Sequence, residues 1–440
     1  MHPLRRHTLI LLALAVLATG CNRPDERDDG RTTVTFWHSF VSSTIPALEE
    51  LIARFESEHP TIRIQAQYVP TGDALAQKLI TAVRSQSAPD VSWVHANYLE
   101  SLVKADAIYP MSEFLDGPNG MSEEDLEDIY PALLEYASWN GTLYSLPMEA
   151  TNLGLLYNKD MFRAAGLDPD HPPRDWDELL AFSKQLVRDT NGDGRNEQVG
   201  FAVPITPATG PQGPYMVWQF IPFIWQAGGY MVDEESQNIL YGSDEGVRAL
   251  SFWKELYEAQ NLRSFTGDYV PAFASGRAAM ILDGPWSLPR YPTLLGDMDW
   301  DIAPLPAGPA KRATIVAGEY LAVFKQSKNP EAAWTFIKWI TEPDVQAFWS
   351  MKSGYLPMRK SVLDEPEYQR YLEGNSAHRA FVEQMSVAQV QRPIVYFPLE
   401  IERNLAVAIE KATVSGDDPR AVLAEAVAAS NALLQSGNPE

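Results

Sequence analysis

Between residues 34 and 94 the apolar residues switch repeatedly between two periods, and this alternation limits the possible folds more than any other feature. Val34-Thr35-Phe36-Trp37 reads as a short strand. Thr44-Ile45-Pro46 then opens a helix, with Pro46 in the first turn, where a missing N–H costs nothing. Leu48, Leu51, Ile52 and Phe55 share one helical face, and His59-Pro60 stops the run. Ile62, Ile64 and Ala66 alternate with Arg63 and Gln65, as in a strand. Leu75, Leu79, Ile80 and Val83 return to helical spacing, and Pro89-Asp90-Val91-Ser92-Trp93-Val94 reads as a third strand. Strand, helix, strand, helix, strand predicts an α/β fold with a parallel sheet covered on both faces. Ligands on such sheets bind at the carboxyl ends of the strands, which points to Trp37, His38, Trp93 and His95.

The same grammar continues downstream. Leu153 to Tyr157, Ala278 to Leu282 and Tyr320 to Phe324 read as strands. Helical runs begin at Asp160 and cover Trp176 to Arg188, Gly246 to Ala259 and Pro330 to Ile340. No period repeats and no tract is of low complexity. A chain of 440 residues is too long for one small core and predicts two lobes.

The first twenty residues differ in chemistry from the rest. Arg5 and Arg6 precede an apolar run from Leu9 to Ala18, too short to span a bilayer of about 30 Å, so residues 1–20 read as a secretory leader. Thr19 and Gly20 lead into Cys21, the single cysteine, at the place where a lipoprotein signal puts its acylated residue. Ala18 stands where such signals usually carry Leu. Lipidation of Cys21 predicts membrane anchoring and leaves no thiol for a disulfide. Residues 21–33 are polar and charged, as expected of a flexible tether. The formal charge of -23 falls by two more units if Arg5 and Arg6 leave. So acidic a surface disfavours nucleic acid and anionic lipid.

Several phrases, in order, carry a family resemblance. They are Thr35-Phe36-Trp37-His38-Ser39, Phe55-Glu56-Ser57-Glu58-His59-Pro60, Ala88-Pro89-Asp90-Val91, Gly141-Thr142-Leu143-Tyr144-Ser145-Leu146-Pro147 and Leu156-Tyr157-Asn158-Lys159-Asp160. The most distinctive runs from Ala272-Phe273-Ala274-Ser275-Gly276-Arg277 to Gly284-Pro285-Trp286, and Asn329-Pro330-Glu331-Ala332-Ala333-Trp334 and Gly354-Tyr355-Leu356-Pro357 complete the series. The chain resembles the extracellular solute-binding proteins of ABC transporters, most closely the sugar-binding, maltose-binding-protein-like group. The resemblance implies a two-lobed periplasmic-binding-protein fold of type II, each lobe a mostly parallel sheet flanked by helices, with the ligand in the cleft between. It implies a first lobe of 34–148 and 268–311 and a second of 149–267 and 312–440. Crossings would fall near Pro147 to Asn152, Ser264 to Asp268 and Pro304 to Gly318. It also implies a monomer that hands its cargo to the transmembrane subunits of a transporter.

Sugar recognition needs aromatic faces for C–H surfaces and polar side chains for hydroxyls. Trp286 matches a family position whose indole stacks on ligand, and Asp283 precedes it at a strand end. Glu149 and Asn152 sit at the first expected crossing. Gly210 to Tyr230 is rich in Gly, Pro and aromatics, and Trp218 and Trp225, seven apart, would share a helical face, Trp218 being the better platform. Glu319, Tyr320, Gly354 and Tyr355 follow a crossing or occupy a family loop near the ligand.

Asp189, Asn191, Asp193, Arg195 through its carbonyl, and Glu197, with Gly194 at the sharp turn, match the first half of a calcium loop, so a structural calcium ion is expected there. The pattern departs at its twelfth position, Gly200. No cofactor is required, and phosphate-loop, nucleophile-elbow and zinc-protease motifs are absent. The expectation is a binding protein. Two alternatives are a glycerol-3-phosphate-type binder using Arg277 or Arg392, and a secreted carbohydrate-active enzyme using two acids from Asp90, Glu149 and Asp283.

Overall fold

The computed structural model describes residues 30–70, 73–210, 213–233, 238–262, 269–390 and 398–437. The leader, Cys21, most of the expected tether, the crossing expected at Ser264 to Asp268, and Arg392 lie outside them. No helix among the described residues is long and apolar enough to cross a membrane.

The strands that frame the molecule are, in chain order, β1 (Thr32–His38), β2 (Ile62–Tyr68), β3 (Val91–Val94), β4 (Leu146–Pro147), β5 (Thr151–Asn152), β6 (Gly154–Asn158), β7 (Val199–Phe201), β8 (Ala278–Asp283), β9 (Trp300–Ala303), β10 (Thr314–Ala317), β11 (Tyr320–Val323) and β12 (Ala388–Gln389). The helices that matter are α1 (Ile45–Glu58), α2 (Asp73–Arg84), α3 (Ala96–Lys104), α4 (Gly213–Gln226), α5 (Asp244–Ala259), α6 (Pro330–Ile340), α7 (Pro343–Ser353), α8 (Ser376–Gln384), α9 (Pro398–Glu410) and α10 (Pro419–Gly437). Thr32 and Thr33 already belong to β1, so the ordered fold starts before residue 34.

The first lobe is built on a sheet of order β2-β1-β3-β11-β4. Val34, Phe36 and His38 alternate inward along β1, as the period of two requires. Ala47, Leu48, Leu51 and Phe55 bury one side of α1. Phe55 meets Phe336 and Trp339 of α6 at ring distances of 5.0 and 5.3 Å, and Phe336 also reaches Phe36, which closes this core. The second lobe has the sheet order β9-β6-β8-β7. Phe220 and Phe223 of α4 pack edge-on against Trp253 of α5 to form its core.

Two expectations need correction. Residues 268–311 do not join the first lobe, because β8 and β9 both pair with β6 of the second. Residues 312–440 do not all join the second, because β11 pairs with β3 and β4, while α6 and α7 pack on β1, β11 and α1. Helices α9 and α10 do belong to the second lobe, against α4 and α5. Each sheet is mostly parallel, as expected, with one strand reversed: β11 runs antiparallel to both neighbours in the first, and β6 does so in the second. Chain connectivity explains the direction. Both strands start where the chain has just crossed from the other lobe, at the edge where β3 and β8 end, so they must run the other way.

The crossings meet in a small third sheet of order β12-β10-β5. Val316 and Ala317 pair with Asn152 and Thr151, which places the first and last expected crossings side by side. The remaining passage is β12, beside Thr314 and Ile315.

Candidate ligand site between the lobes

Strand direction gathers one set of side chains at the hinge edge of the first-lobe sheet. His38 and Tyr68 are paired at the ends of β1 and β2. Val94, just before His95, pairs with Tyr320, just after Glu319, and Tyr320 pairs with Pro147, two residues before Glu149. Five segments distant in sequence therefore converge.

The polar groups here have unmade bonds. Glu149 is fully buried, and its Oε2 accepts from Trp349 Nε1 at 2.8 Å, but Oε1 has no partner. Trp93 Nε1, Tyr98 Oη and Tyr320 Oη are buried and also lack partners. His95 Nε2 lies 3.0 Å from Glu319 Oε2, an ion-pair distance, although the two atoms are misaligned for a hydrogen bond. Burial raises the Glu149 carboxyl well above the ordinary range, and the Glu319 charge adds to the shift. Burial opposes charge on His95, but Glu319 outweighs it and the net shift is upward. Buried polar atoms are nearly always satisfied in folded proteins, so this concentration marks a place where a hydroxyl-bearing molecule would find both donors and acceptors.

The second lobe presents an aromatic ledge. Strand β8 ends at Asp283 and the chain turns through Gly284-Pro285-Trp286. The indole of Trp286 folds back over Gly284 so closely that a Cβ there would lie 2.0 Å from the ring. Trp286 stays half-buried and faces Trp218 at 6.0 Å, and Trp218 stacks on Tyr215 at 5.8 Å and 16°. Trp225, which its spacing places on the helical face of Trp218, is instead 3% exposed and part of the core. Tyr215 was not singled out from the sequence, although it lies in the aromatic stretch that was.

Contacts link ledge and cluster. Gly354 ends α7 with φ 84°, and a Cβ there would sit 2.4 Å from Pro285 O. Next to it, Tyr355 stacks on Trp349, the residue that holds Glu149. Glycine at 354 lets the turn before Trp286 approach the first lobe.

Other predicted residues serve the framework. His38 is 4% exposed, its Nδ1 accepts from Phe40 N at 3.3 Å, and burial lowers its pKa to about 4. The face of Trp93 packs edge-on against Phe40. Trp37 points to the opposite side of β1 from His38, under Lys78 Nζ at 4.1 Å. Asn152 donates to Phe381 O at 2.8 Å and braces β5 against α8. Asp283 turns inward at 1% exposure, accepting from Tyr291 Oη at 2.5 Å and from Gly284 N at 2.8 Å. Burial raises its pKa against those donors. Through these bonds it positions the turn that carries Trp286. Tyr355 is 4% exposed, and its carbonyl accepts from Ser350 Oγ.

In the acidic loop, oxygens of Asp189, Asp193 and Glu197 lie within 4.8 Å of one another. Asp189 accepts from Gly192 N and Gly194 N, and Glu197 from Thr190 and Asn191. Asp193 accepts from Arg195 N, and Asn191 Oδ1 from Asp193 N. The side chains thus converge while bonding the loop's own amides.

Known proteins share this architecture. The cyclic α-maltosyl-1,6-maltose binding protein of Arthrobacter globiformis superposes with a TM-score of 0.78 at 27% identity, over 93% of this chain and 100% of its own. A Mycobacterium tuberculosis protein solved with glycerophosphocholine gives 0.77 at 25%, over 92% and 99%. In sequence, the maltotriose-binding protein of Pyrococcus abyssi is 26% identical over 78% of this chain and 70% of its own length. A profile described as bacterial extracellular solute-binding protein matches residues 50–374. With two lobes, a hinge and facing walls already accounted for, that match covers most of the chain, and the chain belongs to the bacterial extracellular solute-binding protein family.

Proposed function

We infer that this chain is the extracytoplasmic binding component of an ABC transporter and that it takes an uncharged sugar or oligosaccharide between its lobes. One observation carries the reading. An aromatic ledge of Trp218 and Trp286 belongs to one lobe, and buried donors and acceptors without partners, Glu149 and Tyr320 among them, belong to the other. A pyranose offers an apolar face to the first and hydroxyls to the second. Closure about the hinge brings both onto the ligand, and the closed form is what the transmembrane subunits accept.

The position of Arg277 weighs against a phosphorylated ligand. It precedes β8, whereas Trp286 follows that strand, so six residues at about 3.3 Å each separate them by about 20 Å. Catalysis by paired acids finds little support. Asp90 accepts from Thr35 N at 2.8 Å, Thr35 Oγ1 at 2.6 Å and Ser327 Oγ at 2.5 Å, and Asp283 is held by Tyr291. The chain binds and releases without chemistry.

Cys21 carries the lipid that tethers the monomer to its membrane, two or more acyl chains being enough for stable anchoring. A thermal-shift panel of neutral sugars against sn-glycerol 3-phosphate tests the reading, since a ligand of the native state raises Tm. Neutral sugars raise it and glycerol 3-phosphate does not; the reverse result overturns the assignment.

A further inference from the structure

Beside the ledge the second lobe hollows into an alcove of about 620 Å³. Residues 202–207, leaving the carboxyl end of β7, form one side, and Tyr215 and Gln219 of α4 form another. Tyr257 of α5, Tyr269 and Glu410 of α9 complete the wall, and Val414, 40% exposed, stands at the mouth. Because β7 and β8 are parallel, their carboxyl ends share an edge, so the alcove and the Gly284-Pro285-Trp286 turn open on the same side of the sheet. Tyr215 belongs to both: it lines the alcove and stacks on Trp218.

Three features define what fits. Gln219 is fully buried; its Nε2 makes one long contact, 3.4 Å, to Tyr269 Oη, and its Oε1 has no hydrogen-bond partner. An acceptor fixed in that way calls for a hydroxyl or amine donor. Glu410 is held with Oε2 accepting from Ala208 N at 2.9 Å, which puts a carboxylate in the wall. Among the described residues no lining side chain is Lys, Arg or His, and Glu410 is the charged group that an anion would meet there. Three tyrosine rings complete a surface suited to a neutral ring with hydroxyls. In volume the alcove alone already falls within the range that holds drug-sized ligands, before the ledge is counted.

Building on the sugar reading above, we propose that the alcove is an end subsite that selects uncharged oligosaccharides longer than a disaccharide, one terminal unit entering it while the preceding units lie along Trp218 and Trp286. Monosaccharides and disaccharides occupy the ledge and leave Gln219 Oε1 without its donor.

Calorimetric titration of the full mature chain with neutral linear oligosaccharides of one to six units, in glucose, mannose and galactose series, tests this. In the series that binds, affinity rises at least tenfold from the disaccharide to the trisaccharide or tetrasaccharide. Val414→Trp, which fills the mouth from an exposed position, and Gln219→Met, which removes the acceptor at nearly constant volume, each bring that ratio close to one. Melting curves establish that both variants fold. Equal affinity for a disaccharide and all longer members, or a length gain that survives both variants, overturns the alcove proposal and leaves the sugar reading intact. Failure of every sugar, with binding of sn-glycerol 3-phosphate, overturns both.

Discussion

Replacing Gly284 by alanine isolates the contribution of the Trp286 platform without touching the indole. The backbone at 284 is extended, φ -120° and ψ 173°, so alanine meets no conformational penalty. The obstacle is steric. The new methyl would stand 2.0, 2.2 and 2.4 Å from three atoms of the Trp286 ring. Overpacking costs about 1–3 kcal/mol where nothing can move. Here the indole is half-buried and swings away, so the stability loss should stay near the lower end, about 1 kcal/mol. The displaced ring no longer lies opposite Trp218, and an aromatic stacking contact is worth about 0.5–1.5 kcal/mol, so sugar affinity should fall by up to about tenfold. Calorimetry on G284A, W286A and the double variant reads this as a cycle, in which the second substitution adds little to the first. If G284A keeps full affinity while W286A loses it, the indole does not need its place over Gly284 and the reasoning fails.

Three other predictions follow from burial. Glu149 has a raised folded pKa, so it stays protonated in the native state after the unfolded chain has ionised; native stability is therefore lost as pH rises above the ordinary glutamate value, by about 1.4 kcal/mol per pH unit until the folded value is reached. Urea midpoints of E149Q should gain on the unaltered protein as pH rises from 4.5 to 8, and parallel curves would refute this. His38, and His378 buried on α8, are held neutral, with values lowered to about 4 and about 3, so the unfolded chain gains protons that the native chain refuses and stability falls as pH drops from 6.5 toward 4. Denaturation at pH 7 and pH 5 measures the loss, and a flat response would count against burial as its cause. Trp225→Ala should cost about 3–5 kcal/mol in chemical denaturation, as large-to-small changes in a packed core do, whereas Trp218→Ala should cost far less stability and more affinity.

Local periodicity made the beginning of the fold readable. The alternation through residues 34–94, with Pro46 in the first turn of α1, describes what the first lobe does there. The allegiance of later strands was not readable. Ala278 to Leu282 is recognisably a strand, but whether it joins β3 or β6 depends on pairings more than a hundred residues away, which no local pattern encodes. At the site, Trp286 was accessible because a strand-like run ends in Gly-Pro-Trp. Asp283 looked equivalent, yet it precedes the turn and its side chain is drawn inward by Tyr291. Tyr215 and Gln219 stayed hidden because a stretch with so many aromatic residues does not announce which of them face outward. The orphaned atoms of Glu149 and Tyr320 are visible only once β4 and β11 are side by side.

The connection between the halves is a ladder with few rungs. Strand β10 meets β5 through two residue pairs and β12 through two more, whereas β1 and β2 are joined through seven. Bending concentrates where the fewest main-chain bonds resist it, so thermal motion should leave each sheet intact and spend itself in these short strands. A molecule so jointed swings as two stiff plates on a soft strap, and a small twist at residues 151–152 and 314–317 becomes a wide opening at the rim.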